Sequence, residues 1–274
     1  MISELCVCAI DSGDVTVVLR HEGHIEAPNW LRDGSFVVNG GGAMYRVAAD
    51  GAMAPIDTGF ARQCNNDHGP SPDGTWLAIS DKVETGESCV YRVPLAGGVP
   101  ERLTAEVPSW WHGWAPDGGA ICYVGARGDR TIRLYEMDLT TRSERLVVDG
   151  FDHVDGPDYS ADGVWIWFNG ERDGAVDIWR VRRDGTGLER MTGGDSVDWF
   201  PHPSPCGRHV VHLAYPAGTR GHPGGLDVSL RILPQGGGAS RAVVTLHGGQ
   251  GTINVPSWEA GGGARFAFMR YARA

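Results

Sequence analysis

Six times along the chain a polar approach gives way to a tight turn and then to an apolar run of five to seven residues. The runs are Ser35-Phe-Val-Val-Asn39, Thr75-Trp-Leu-Ala-Ile-Ser80, Ala120 to Gly125, Val164 to Gly170, His209 to Tyr215 and Arg265 to Tyr271. Each is too short for a buried helix, is rich in β-branched and aromatic residues, and is bounded by Gly, Asp or Pro, which predicts strands. The turn before them is clearest at Ser71-Pro72-Asp73-Gly74: Pro presets the first turn dihedral, Asp bonds nearby backbone and Gly accepts positive φ. Further strands follow, alternating apolar and polar as at Ala43-Met-Tyr-Arg-Val47 and Asp177-Ile-Trp-Arg-Val181. Short final strands such as Glu101-Arg-Leu-Thr104 close each unit.

Taking Asp33, Asp73, Asp117, Asp162, Cys206 and Gly261 as the ruler, the copies are spaced by 40, 44, 45, 44 and 55 residues. A period near 40 to 45 with four strands per unit is that of a β-propeller. The chain is therefore predicted to be all-β: one six-bladed domain over residues 1–274, with four antiparallel strands per blade. The last blade lacks its third and fourth strands, and Leu5-Cys-Val-Cys-Ala-Ile10 and Val15-Thr-Val-Val-Leu-Arg20 carry those patterns. Strands from both termini should thus share that blade, which removes the open edges that invite aggregation.

Composition sharpens this picture in three respects. Forty-one glycines and 16 prolines suit a turn-rich β fold. A net charge of -10 leaves no basic face for a phosphate backbone, so nucleic acid is not an expected partner. The first residues contain Glu4, Asp11 and Asp14 and no long apolar run after a basic start, so neither an export signal nor a membrane span is expected, and a cytoplasmic location is. The six cysteines lack paired spacing and read as buried free thiols.

The turn, the apolar strand, and then Asp177-Ile-Trp-Arg-Val-Arg-Arg-Asp-Gly185 resemble the repeats of TolB-type six-bladed propellers over essentially the whole chain. The resemblance implies architecture, because repeats specify a scaffold and not a chemistry. Similar propellers precede the catalytic domain of prolyl oligopeptidase-like enzymes, but there is no G-x-S-x-G elbow here.

Function has to be sought where the copies differ. Four copies carry Pro five residues before the ruler position (Pro28, Pro157, Pro201, Pro256), whereas two carry His68 and His112; His202 follows one residue later in the fifth. Imidazoles on inner strands of different blades are expected to converge on the channel axis and to hold a divalent ion such as manganese, iron or zinc. His222, in the inserted loop of the fifth blade, and Gln250, between glycines, would complete the set. A His-rich mouth with a Gln resembles that of oligogalacturonate lyases, whose metal is held by histidines and a glutamine, and this implies a lyase-like reaction.

Around those ligands, Asp67, Asp155, His68 and His112 are candidates for proton transfer, and Arg172 for positioning a substrate carboxylate. Arg127, Asn254 and the non-repeat aromatics Trp110, Trp111, Trp199 and Phe200 are candidates for binding it, the flat rings by stacking. Trp30, Trp114, Tyr159 and Trp258 share one repeat position and read as framework. The sequence thus points to a metal-dependent lyase or hydrolase for a small polar substrate such as a carbohydrate. The alternative is a propeller that binds a protein or small ligand at the same mouth without catalysis.

Overall fold

The computed structural model describes residues 1–272 and contains strands, turns and no helix among them. Blades 1 to 5 are four-stranded antiparallel sheets whose inner strands are Glu26–Trp30, Cys64–Pro70, Ser109–Trp114, His153–Tyr159 and Val197–Pro203. In each blade the three following strands run outward in sequence order. The sixth sheet pairs Arg265–Tyr271 with Ile2–Ala9, and Ile2–Ala9 with Val15–Glu22. Ser3 faces Tyr271 and Ala9 faces Arg265 across the closure. Arg270 Nε adds a contact of 2.8 Å to Glu4 Oε2.

The innermost edge of this sixth blade is less regular than in the others. Residues 252–258 meet Arg265–Tyr271 through a single bridge, Trp258 to Phe266, and through separate hydrogen bonds from Ala267 N to Ser257 O and Met269 N to Thr252 O, each 2.9 Å. Gly251 accounts for part of the departure. Its φ is +87° and a Cβ there would lie 2.5 Å from the Tyr271 hydroxyl, so the chain turns tightly against blade 1 instead of running straight.

The shared aromatic position of the repeat binds blades together. Trp114 Nε1 donates to Gly69 O of blade 2 at 2.9 Å, Trp258 Nε1 to His202 O of blade 5 at 2.8 Å, and the Tyr159 hydroxyl to Glu136 Oε1 of blade 3 at 2.8 Å. Apolar faces fill the space between sheets: Cys6, Leu213, Leu230, Phe266 and Phe268 form one such layer between blades 5 and 6. Five cysteines are buried and free, but Cys206 is exposed, because it replaces the aspartate of the turn and not a strand residue.

All five inner strands are bulged. The register slips between Glu26 and Asn29, Cys64 and His68, Trp111 and Gly113, Asp155 and Asp158, and Trp199 and His202. In three of them the residue before the proline is left-handed: Ala27, Gly156 and Phe200, with φ near +55° (56°, 55° and 53°). A bulge re-aims side chains on either side of it. Asp67 and Asp155 thus face the channel mouth, while His68 and His202, further along their strands, face neighbouring blades.

Candidate functional site at the channel mouth

A cavity of about 220 Å³ opens where the inner strands begin. Asn65, Asn66 and Asp67 of blade 2 contribute to its wall, Trp110 comes from blade 3, and Asp155 from blade 4. His222 reaches it from the loop between the second and third strands of blade 5, and Gln250 and Asn254 from the segment leading into blade 6.

The amide groups there are oriented one by one from the backbone. Gly251 N can only donate, and it donates to Asn254 Oδ1 at 2.7 Å, which makes the other end of that amide a donor. Asn254 Nδ2 then donates to Gln250 Oε1 at 3.1 Å. The same oxygen accepts from His222 Nδ1, so this ring nitrogen carries the proton and Nε2 is left with a lone pair when the ring is neutral. Nε2 is 3.6 Å from Asp155 Oδ2. The imidazole rests on Trp199, with ring centres 4.4 Å apart, and against Phe200 at 5.2 Å.

Asp155 stands between two imidazoles. Its Oδ1 is 2.9 Å from His112 Nε2, off the direction of a good hydrogen bond but close enough for an ion pair. Burial works to raise the Asp155 carboxyl, but His112, then His222 and His153, outweigh it and hold it below the usual carboxylate range. Burial alone would depress His112, and the carboxylates of Asp67, Asp155 and Asp158 raise it instead. Asp67 behaves oppositely: burial pushes it up to about 6, His112 pulls back, and Asp155 adds repulsion. Its one side-chain hydrogen bond among the described residues is from the Asn65 amide.

Below the mouth the other two histidines are already occupied. His68 Nδ1 lies 2.8 Å from Asn29 Oδ1, its Nε2 is buried without a partner, and burial pushes its pKa down to about 3. His202 uses both nitrogens, Nδ1 on Asp158 Oδ2 at 3.1 Å and Nε2 on Ile253 O at 2.8 Å. Burial raises Asp158, an effect that His202 partly offsets.

No protein-family model matches the chain. An uncharacterized protein of Agrobacterium fabrum is 45% identical over 99% of this chain and 93% of its own length. A solved structure from Agrobacterium tumefaciens, provisionally named TolB, superposes with a TM-score of 0.97 at 44% identity, covering 100% of this chain and 99% of that one. The chain belongs to the TolB-like propellers. TolB from Acinetobacter baumannii shares the fold at TM-score 0.63 and 16% identity, over 89% of this chain and 53% of that one. An oligogalacturonate lyase in complex with manganese shares it at TM-score 0.57 and 14% identity, over 89% and 73%.

Within this TolB-like propeller the expected site is partly assembled. Asp67, Asp155, His112, His222, Gln250 and Asn254 come together at the mouth, although they belong to five different blades. The expected metal set does not: His68, His112 and His202 each turn to a different neighbour, and His222 and Gln250 bond one another. Among the described residues no three His, Cys, Asp or Glu side chains are grouped to hold one ion. The inner-strand bulge is the reason, since it separates in direction residues that are adjacent in repeat position.

Four binding candidates are also placed elsewhere. Trp111 is 1% exposed and fills the space over Gly69, where a Cβ would come within 2.1 Å of the ring, so it is framework. Trp199, 2% exposed, supports His222 from beneath and is not a platform open to ligand. Arg127 pairs with Glu144 at 2.6 Å and bonds Pro108 O. Arg172 bonds Gly150 O and lies over Phe151 at 4.2 Å, away from the cavity wall. Conversely, His153 and Asn65 belong to the wall and were not among the candidates. His153 had a signal: it lies two residues before Asp155, on the same face of the strand.

Proposed function

We propose that the channel mouth is the substrate site of a lyase or hydrolase that acts on a small polar molecule, such as a carbohydrate, by proton transfer through His222. The observation that carries this reading is the fixed tautomer of His222, set by the relay from Gly251 N through Asn254 and Gln250. In the neutral ring Nε2 is the nitrogen without a hydrogen, and it faces Asp155 Oδ2 across 3.6 Å. A substrate O–H or C–H presented there loses its proton to Nε2, and the imidazolium so formed gains Asp155 as its counter-ion. His112 holds the other carboxylate oxygen and keeps Asp155 ionised. Trp199 and Phe200 keep the imidazole in place from below.

The divalent ion expected from the histidine pattern has no assembled donor set, so no step of this reading runs through it. Docking of a protein on the rim gains little support, because the exposed large apolar side chains are spread over blades 2, 3, 4 and 6. The test is turnover of a saccharide panel followed by proton NMR, wild type against His222→Gln. Loss of turnover with retained folding is expected of the variant. Equal turnover in the two proteins, or none in the wild type across the panel, would overturn the reading.

A further inference from the structure

The wall of the mouth cavity contains carboxylates, amides, imidazoles and one indole, but among the described residues no arginine or lysine. Other buried carboxylates are better supplied: Glu136 has Arg145 and Arg183, Asp177 has Arg190 at 2.6 Å, Asp158 has His202, and Asp81 accepts from the backbone N–H groups of Gln63 and Val83. Asp67 is 7% exposed and faces the cavity with only the neutral amide of Asn65 bonded to it. A carboxylate removed from water in this way lacks a counter-charge. Nearby imidazoles do not supply one by direct contact, since His112 is set against Asp155 and His222 against Gln250. Glu26, whose Oε2 accepts from Asn66 Nδ2 at 3.0 Å, adds a further carboxylate beside the same wall.

We propose that the mouth binds substrates carrying a protonated amine, the ammonium being held by the Asp67 carboxylate and the indole of Trp110. The inference rests on the reading of the mouth as a substrate site and names its substrate class: an amino sugar or similar polar amine. An ammonium donates to Asp67 in a charge-assisted hydrogen bond, and an indole is the aromatic ring that attracts a cation best. A uronate, by contrast, would set its own carboxylate against Asp67, Asp155 and Glu26, with no guanidinium among the described residues of the wall to receive it. Discrimination against acidic sugars therefore follows from the wall itself.

Titration calorimetry and imidazole-detected proton–nitrogen spectra, with glucosamine, glucose, glucuronate and putrescine as probes, test this on the whole chain. The two amines are expected to shift the His222 and His153 resonances, and glucosamine to bind at least about 10-fold more tightly than glucose. Asp67→Asn should bring glucosamine down to the glucose level, and Trp110→Leu should weaken both amines several-fold while the protein stays folded. Glucuronate binding as well as glucosamine, an amine preference unchanged in both variants, or no imidazole shift with either amine at saturating millimolar concentration would each overturn the inference. Glucuronate turned over in a His222-dependent way sinks the amine class alone. Glucosamine bound through Asp67 with turnover indifferent to His222→Gln sinks the proton-transfer reading alone.

Discussion

Gln250 Oε1 accepts a hydrogen bond from His222 Nδ1, and that contact decides which nitrogen of the imidazole is free. The amide is in turn fixed by Asn254, and Asn254 by a backbone N–H that can only donate. An arrangement of this kind is cheap to break at one point. Gln250→Leu should leave the fold intact and let His222 exchange between tautomers, which side-chain nitrogen shifts would report directly. A single Nδ1–H tautomer surviving in the variant would show that Gln250 does not set it.

The mouth should also leave a mark on the pH dependence of stability. Asp67 is raised to about 6 by burial, above the unfolded carboxylate value of about 3.9. Between those values the native state binds a proton that the unfolded state does not, so stability rises as pH falls through the window and is lower above it. The full effect is about 3 kcal/mol as an order of magnitude. His112, also raised, contributes stability that is complete below the unfolded imidazole value and is lost as pH rises through the folded one. Asp155, depressed, contributes above the unfolded carboxylate value and weakens only in more acid solution. Urea denaturation between pH 4 and 8 should therefore show a clear gain toward pH 5 in the wild type and a much smaller one in Asp67→Asn. Identical profiles would remove Asp67 as the cause.

Trp199 belongs with the framework. At 2% exposure, packed on Phe200 and beneath His222, it should cost about 3 to 5 kcal/mol on truncation to Ala. Trp114→Ala should cost a similar amount, since it loses both packing and its bond to Gly69 O. Chemical denaturation measures both, and a loss under about 1 kcal/mol at either position would contradict the burial argument.

Ring closure gives the coarsest test. Removing Met1 to Val18 deletes the partner of Arg265–Tyr271 and leaves that strand with an open edge at the rim. The truncated chain is expected to aggregate or melt far below the full-length protein. An unchanged melting temperature would mean the amino-terminal strand is dispensable.

Chelation separates the mouth described here from the metal centre that the histidine pattern first suggested. Dialysis against a chelator is expected to leave glucosamine binding unaltered. Binding lost on dialysis and restored by manganese would show that the side chains rearrange into a donor set around the ion.

The architecture was legible in the chain because it rests on features that repeat. A turn motif every 40 to 45 residues, strand patterns of period two, and a last blade short of exactly the strands found at the start all report local propensity and burial. The framework role of Trp114 and Trp258 was readable for the same reason. Departures from the repeat drew attention to Asp67, His112, Asp155, His222 and Gln250, which lie together at or beside the mouth, yet not to how they face one another. Direction is set by the bulges of the inner strands, where two extra residues in blade 2 and one in blade 5 leave His68 facing Asn29 and His202 facing Asp158, so that the three imidazoles do not meet. Nothing local in the sequence marks that bulge in blades 2 and 3, where no proline accompanies it. Which aromatic is open to ligand was likewise decided between blades: Trp110 lines the cavity while Trp111, one residue on, fills the gap above Gly69. Propensity and period act along the chain and can be read there, whereas the facing of polar groups across a channel depends on contacts between residues far apart in sequence, which only the closed ring brings together.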